Sequence, residues 1–164
     1  MSGALPLVYG KRLDDLDTLA RSTLLSGIGI RDLGVFLDAL DQVALPRGTT
    51  VFHEGETGEH MYFVLDGAGQ IRRGQLELRR LAPGDHFGEL GLLREPARST
   101  TVQADTAMRL ARLSRSRSHS LSLNPPRIAL HFTQGRACAL GDELVAVTHW
   151  MGLLAHPRSA PRRL

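Results

Sequence analysis

The chain has 164 residues, enough for one domain with a hydrophobic core, and its formal net charge is +3. This charge is too small to indicate a nucleic acid partner, and no apolar run approaches the roughly 18 residues that span a bilayer. The N-terminus lacks the charge order of a signal peptide, and the single cysteine, Cys138, suits a reducing compartment. We therefore expect a cytoplasmic protein whose partners include neither a membrane nor a nucleic acid.

Residues 1–42 are predicted to form an N-terminal helical segment, and residues 43–113 a β domain. Leucines three and four residues apart in LDDLDTLARSTLL and RDLGVFLDAL indicate helices, which the glycine-containing SGIGI separates. The chain then changes to short runs rich in β-branched and aromatic residues, such as TTVFHE, HMYFVL and TTVQA, with glycine turns between them. Strands at this spacing predict a small sandwich or barrel.

Residues 114–155 return to helical spacing, and residues 156–164 are predicted to be a disordered tail. Gly135 and Gly141 are expected to weaken the last helix or to break it. The order of helices, then strands, then helices predicts an α+β chain with one β-core. The glycine-rich phosphate signatures that need a βαβ unit are absent from the sequence.

The stretch FGELGLLREPARSTTVQADT, residues 87–106, concentrates groups that suit one small ligand. A helical turn is predicted at residues 89–93, and the first backbone N–H groups of a helix attract an anion. Arg98 adds a planar fork of donors suited to phosphate, and Ser99 and Thr100 add hydroxyl groups. Glu89 accepts hydrogen bonds and therefore suits a sugar hydroxyl. These residue types alone leave open a surface ion pair between Glu89 and an arginine.

The same stretch resembles the phosphate-binding cassette of cyclic nucleotide-binding domains. That pattern is F-G-E-[L/I]-[A/G/S]-L, then P-x-R or A-R, then a strand ending T-V-x-A; this chain has FGELGL, ARST and TVQA. The segments LPRGTTVFHEGETGEHMYFVLDG, LAPGDHFGE and AMRLARLSR also match the family in the right order, so the resemblance spans roughly residues 24–115. It implies a small antiparallel β-roll, a jelly-roll-like barrel, flanked by N-terminal and C-terminal helices. We call residues 87–104 the cassette.

The resemblance also implies a ligand, cAMP or cGMP, and no further cofactor. In the family's arrangement the backbone at Gly88 and Leu90, together with Arg98 and Ser99, would hold the cyclic phosphate. Glu89 would bind the ribose 2′-OH.

Several positions have roles that the resemblance defines less fully. Thr100 stands where many relatives have a small alanine. Its side chain is expected either to donate an extra hydrogen bond or to intrude sterically at the cassette. Gly55 and Gly67 are similar to the family's turn glycines, which need positive φ angles. The last helix caps the base in the family, so Trp150 is a candidate lid residue; a core or partner contact is the alternative.

Enzymatic and DNA-binding functions find little support in the sequence. A metal-dependent cupin needs several histidines and a carboxylate, but the β region has only His53, His60 and His86 without an H-x-H pair, so no metal site is predicted. Cys138 is expected to be a core thiol and not a nucleophile. The residues after Arg115 are expected to leave no room for a winged helix-turn-helix.

We accordingly predict a sensor without enzymatic activity. It would bind a cyclic nucleotide and signal by moving its C-terminal helices toward an unidentified protein partner, with a homodimer as a candidate assembly. The alternative is a scaffold or protein-interaction module that keeps the fold without binding a ligand.

Overall fold

The computed structural model describes residues 13–93, 97–123 and 126–155. In chain order, helices precede and follow the strands, as the sequence predicted. Three helical elements come first: α1 (Leu13–Ala20), a 3₁₀ turn (Thr23–Leu25) and α2 (Ile30–Asp38). A short helix, α3 (Leu90–Leu93), lies within the cassette, and two helices follow the strands: α4 (Arg115–Leu123) and α5 (Pro126–Ala155). The predicted α+β class is confirmed.

The strands form a β-roll of two antiparallel sheets, as the resemblance implied. In the described ranges the strands are β1 (Asp41–Leu45), β2 (Thr50–Phe52), β3 (His60–Asp66), β4 (Gly69–Arg73), β5 (Leu76–Leu81), β6 (His86–Phe87), β7 (Thr101–Ala104) and β8 (Met108–Ser114). Their orders are β1-β8-β3-β6 and β2-β7-β4-β5. The division of the chain at residues 42 and 113 stays a prediction, and the tail from 156 lies outside the described residues.

Strand β3 separates two hydrophobic cores. Met61, Phe63 and Leu65 pack against the helices, whereas Tyr62 and Val64 lie in the core between the two sheets. Because successive side chains of a strand point to opposite faces, a strand buried on both sides is apolar throughout. This is why HMYFVL shows no alternation of apolar and polar residues.

A buried ion pair fixes the N-terminal helices to the β-roll. The carboxylate of Asp15 in α1 lies 2.6 Å from the guanidinium of Arg109 in β8, and its side chain is almost fully buried. The amide of Gln42 donates a further hydrogen bond of 3.0 Å to the same carboxylate. Loss of either charge would leave the other buried without its partner, so this contact fixes the position of α1 on the sheet.

Helix α5 runs unbroken through both of its glycines, so the expectation of a break is wrong. Gly135 lies against the 3₁₀ turn so closely that a Cβ there would collide with the carbonyl of Leu24, whereas a Cβ at Gly141 would meet open space. Cys138 is exposed, which corrects the expectation of a core thiol. Among the described side chains of α5, those in the hydrophobic core are Ile128 and Phe132, which lie on one face of the helix.

The two turn glycines occupy the backbone conformation that the resemblance implied. The φ angles of Gly55 and Gly67 are 86° and 85°, in the region that disfavours residues with a Cβ. At Gly67 the carbonyl of Ala107 also occupies the space that a Cβ would need. The structural role predicted for both glycines is confirmed.

Candidate functional site

The cassette and the inner face of the β4–β5 hairpin enclose a pocket of about 300 Å³. All six residues predicted to bind the ligand line this one pocket: Gly88, Glu89, Leu90, Arg98, Ser99 and Thr100. Arg98 is buried and Ser99 is exposed, while the remaining four are partly buried. The fold therefore brings the predicted residues together, although their individual roles in binding stay predictions.

The guanidinium of Arg98 is held in place by backbone carbonyl groups and by an aromatic ring. Its Nη1 donates to the carbonyl of Gly88 at 3.2 Å, and its Nη2 donates to the carbonyl of His60 at 2.8 Å. Its Cζ lies 4.1 Å from the centre of the Phe52 ring, within the range of a cation–π contact. The side chain is only 8% exposed, so these contacts hold the cation in a defined position at the pocket wall.

Glycines surround Arg98 because its guanidinium leaves no space for other side chains. A Cβ at Gly58 would collide with the guanidinium, and a Cβ at Gly91 would lie 3.0 Å from Nη1. Gly88 has a φ of 78°, a conformation that turns the chain from β6 into α3. The glycines of FGELG and of ETGEH thus form a cradle around this cation.

The turn from β6 into α3 places backbone N–H groups at the pocket. Within it, Gly91 N–H donates to Gly88 and Leu92 N–H donates to Glu89, both at 3.1 Å. Leu90 is the first residue of α3, so the N–H groups of the next two residues are already bonded within the turn. The helical turn that the sequence predicted at residues 89–93 is therefore present, beginning at Leu90.

Burial alters the protonation equilibria of two groups around Arg98. It lowers the pKa of the Arg98 guanidinium, an effect that Tyr62 and Glu89 partly oppose. The pKa of His60 is lowered by burial and by the nearby charges of Arg112 and Arg98. Because arginine remains charged in proteins, Arg98 presents a desolvated positive charge at neutral pH.

His86 adds a neutral side chain to the pocket wall. Burial, followed by the charge of Arg79, lowers its pKa from the ordinary 6.5 to about 4, while Asp85 opposes the shift. The ring is only 9% exposed and lies 6.4 Å from that of Phe63, centre to centre. At neutral pH His86 is therefore uncharged.

The pocket has a second wall that the sequence analysis missed. Ile71 and Leu78 line it from the β4–β5 hairpin, together with Arg79, whose Nη2 donates to the carboxylate of Asp85 at 2.6 Å. Phe52 lines it from β2. The residue pattern of QIRRGQLELRR contained a partial signal for this wall, because two of its three apolar residues, Ile71 and Leu78, line the pocket.

The other predicted positions give fewer structural observations. Trp150 falls within α5, but its side chain lies outside the described part of the structure, so the lid stays a prediction. No group of three metal-ligating side chains is assembled in residues 13–93, 97–123 and 126–155. None of the helices in these ranges has both the length and the apolarity needed to cross a membrane.

Comparison with known proteins identifies the family to which this pocket belongs. The sequence model of the family described as the cyclic nucleotide-binding domain matches residues 42–123. The chain is 33% identical over 109 residues to the cAMP-dependent protein kinase regulatory subunit of Debaryomyces hansenii, a match covering 66% of this chain and 24% of that protein. It is 29% identical over 118 residues to the CRP-like cAMP-activated global transcriptional regulator of Mycobacterium tuberculosis, covering 69% of this chain and 53% of that protein.

Solved structures have the same fold. The N-terminal domain of a transcriptional regulator from Streptomyces coelicolor A3(2) superposes with a TM-score of 0.72 at 26% identity, covering 80% of this chain and 95% of that one. The catabolite activator protein of Thermus thermophilus superposes with a TM-score of 0.75 at 26% identity, covering 82% and 63% of the two chains. The chain thus spans about a quarter of the kinase regulatory subunit, about half of the mycobacterial regulator and 95% of the Streptomyces domain.

Proposed function

The chain belongs to the cyclic nucleotide-binding domain family, and from that premise we propose that it is a sensor that binds a cyclic nucleotide in the cassette pocket. The observation that carries this proposal is the buried guanidinium of Arg98, whose hydrogen bonds within the described residues go to neutral carbonyl oxygens. Burial of this cation is costly, and the charges of Glu89 and Glu56 oppose the effect of burial on its pKa only in part. A phosphate forms strong bonds to a guanidinium. A cyclic phosphate would supply a further negative charge.

The pocket offers a distinct environment to each part of such a ligand. Arg98, the hydroxyl of Ser99 and the backbone at Gly88 and Leu90 face the cyclic phosphate in this proposal. Glu89 accepts the hydrogen bond of the ribose 2′-OH, as the family resemblance implies. Ile71 and Leu78 provide an apolar wall against which a purine can pack.

The proposed ligand is cAMP in the first instance, with cGMP as the alternative. The names of the kinase regulatory subunit and of the mycobacterial regulator both refer to cAMP. Those relatives are regulatory proteins, so we propose a regulatory function and assign no catalytic step or additional cofactor. We place the sensor in the cytoplasm, a reducing compartment that suits the exposed thiol of Cys138.

We propose that the output of binding is a movement of α4 and α5.

We also propose that α5 packs against a second copy of the chain. Four side chains of α5 at heptad spacing are exposed: Leu130, Ala137, Leu144 and Met151. A stripe repeating every seven residues is the pattern by which two helices pack along their length. Sedimentation of the purified chain should show a dimer, and Leu144→Glu should shift it to a monomer.

Calorimetric titration with cAMP and with cGMP tests the proposed ligand. The wild-type chain should bind at least one of them, and Arg98→Ala should weaken binding by about a hundredfold or more, because a charge-assisted fork to phosphate is lost. Arg98→Lys keeps the charge without the fork and should bind with intermediate affinity. Arg47→Ala, which removes an exposed arginine outside this pocket, should bind as wild type does.

Absence of binding by the folded wild-type chain would overturn this function and favour the scaffold. Circular dichroism of each variant establishes that Arg98→Ala retains the fold. Equal affinity of wild type and Arg98→Ala would place the nucleotide elsewhere on the protein.

A further inference from the structure

The first residue of α4 is hydrogen-bonded directly to the cassette. The guanidinium of Arg115 donates two hydrogen bonds to the carbonyl oxygen of Gly91, from Nε at 3.1 Å and from Nη2 at 2.9 Å. The backbone N–H of Arg115 donates to the carbonyl of Glu59 at 2.9 Å. The beginning of α4 is thus fixed to α3 and to the segment that precedes β3.

Gly91 lies between this arginine and Arg98. Its N–H donates to the carbonyl of Gly88 at 3.1 Å, and the same carbonyl accepts the Nη1 hydrogen bond of Arg98 at 3.2 Å. A chain of hydrogen bonds therefore runs from Arg98 through Gly88 and Gly91 to Arg115. A Cβ at Gly91 would lie 2.9 Å from the carbonyl oxygen of Gly58 and 3.0 Å from Nη1 of Arg98, so this position has little space for a side chain.

Helix α4 has few apolar contacts that could fix its position independently. Its sequence, RSRSHSLSL, is polar, and its buried described side chains are Ser118 and Leu121. Arginines provide further attachments among its described residues: Nη1 of Arg117 lies 2.6 Å from the carboxylate of Asp41 and 3.2 Å from the carbonyl of Ala39. One arginine of α4 therefore contacts the cassette, and the other contacts β1 and the residue that follows α2.

We infer that Arg115 is a positioning residue of the proposed nucleotide site, which holds the cassette in its binding arrangement and couples it to α4. The inference rests on the proposed function and names the contact through which binding would act on the C-terminal helices. A ligand that bonds to Arg98 acts on the guanidinium that donates to the carbonyl of Gly88. That carbonyl also accepts from the N–H of Gly91, the residue whose own carbonyl Arg115 holds. Because coupling between two sites is reciprocal, loss of the Arg115 contact must then weaken ligand binding.

Two matched variants separate this role from a general loosening of α4. Arg115→Ala removes the contact with Gly91, and Arg117→Ala removes an attachment of the same helix that does not involve the cassette. We expect Arg115→Ala to raise the Kd for the nucleotide by about tenfold, as the loss of hydrogen bonds to a positioned peptide group predicts. Arg117→Ala should leave the Kd within about twofold of wild type. Arg115→Lys should recover part of the affinity, since it can donate to the same carbonyl.

Hydrogen exchange supplies a measurement that a merely structural role would not change. Nucleotide should slow exchange across residues 115–123 in wild type and in Arg117→Ala. In Arg115→Ala at saturating nucleotide, the cassette should be protected while residues 115–123 exchange as fast as without ligand. Wild-type affinity and wild-type protection in Arg115→Ala would overturn the inference, and so would equal effects of the two substitutions.

A measurement without nucleotide distinguishes failure of the inference from failure of the proposed function. If the wild-type chain binds neither cAMP nor cGMP, the proposed function fails. The positioning role still predicts that residues 88–93 exchange faster in Arg115→Ala than in Arg117→Ala or wild type. Equal exchange of this segment in all three proteins would overturn the role of Arg115.

Discussion

Alanine substitutions at the two glycines of α5 should change stability in opposite directions. Both glycines lie inside the helix, where alanine is favoured over glycine by about 0.5–1 kcal/mol. A Cβ at Gly141 meets no atom within 4 Å, so Gly141→Ala should raise the free energy of unfolding by about that amount. At Gly135 the new Cβ would overlap the carbonyl of Leu24 and lie 2.9 Å from its Cα. Overpacking of this kind costs about 1–3 kcal/mol, so Gly135→Ala should lower the free energy of unfolding by about 1–2 kcal/mol.

Urea denaturation followed by circular dichroism measures both effects at one protein concentration. The helix propensity contributes equally to the two variants, so the difference between their unfolding free energies reports the contact of α5 with the 3₁₀ turn. Similar denaturant slopes would show that the compactness of the unfolded state is unchanged. If Gly135→Ala is stabilised as much as Gly141→Ala, α5 does not approach Leu24 as described. The position of α5 from which the proposed motion begins would then be wrong.

Three further predictions test the pocket and its connection to α5. Glu89→Gln should weaken nucleotide binding by about 1–2 kcal/mol, and a 2′-deoxy nucleotide should weaken wild type more than it weakens the variant; additive losses would exclude contact with the 2′-OH. His86 is neutral in the folded state, with a pKa of about 4, so it contributes stability that is present above about pH 6.5 and is lost as the pH falls toward 4. Between pH 6.5 and 4, the free energy of unfolding of His86→Gln should fall by about 2–3 kcal/mol less than that of wild type. If the free energies of unfolding of both proteins change equally with pH, His86 is not buried as described. Saturating nucleotide should slow hydrogen exchange across residues 128–154 more than across α1, whereas protection confined to the cassette would favour the scaffold.

The sequence predicted the features that depend on local geometry. Glycine turns between short β-branched runs indicated a small sandwich or barrel, and the family resemblance of FGELGL and ARST implied the β-roll and a common site for Glu89 and Arg98. Turn glycines are predictable because a positive φ is a property of one residue and its immediate neighbours. Such signals do not depend on which distant segments come into contact.

The features that the sequence did not predict depend on contacts between distant segments. Gly135 was expected to weaken the helix. Its function is to leave space for the backbone of Leu24, a residue more than a hundred positions earlier in the sequence. Cys138 was assigned to the core because small neighbours do not indicate which face of α5 is covered. The role of Arg115 could not be predicted from the sequence, because its acceptor is a backbone carbonyl, which every residue type has.

The contrast between Arg98 and Arg109 favours a ligand-binding domain over a scaffold. Arg109 serves a structural purpose, and its charge is matched by Asp15 at 2.6 Å. Arg98 is less exposed than Arg109, yet no carboxylate of the described residues lies within ion-pair distance of it. A scaffold would gain nothing from this desolvated charge, because an apolar side chain of similar size could pack on Phe52 without the cost of burial. A site that binds an anion gains a positive charge fixed in advance, so little reorganisation is needed when the ligand arrives. On this argument Arg98→Met should make the ligand-free chain no less stable while abolishing nucleotide binding. A large loss of stability with unchanged binding would instead assign Arg98 to the scaffold.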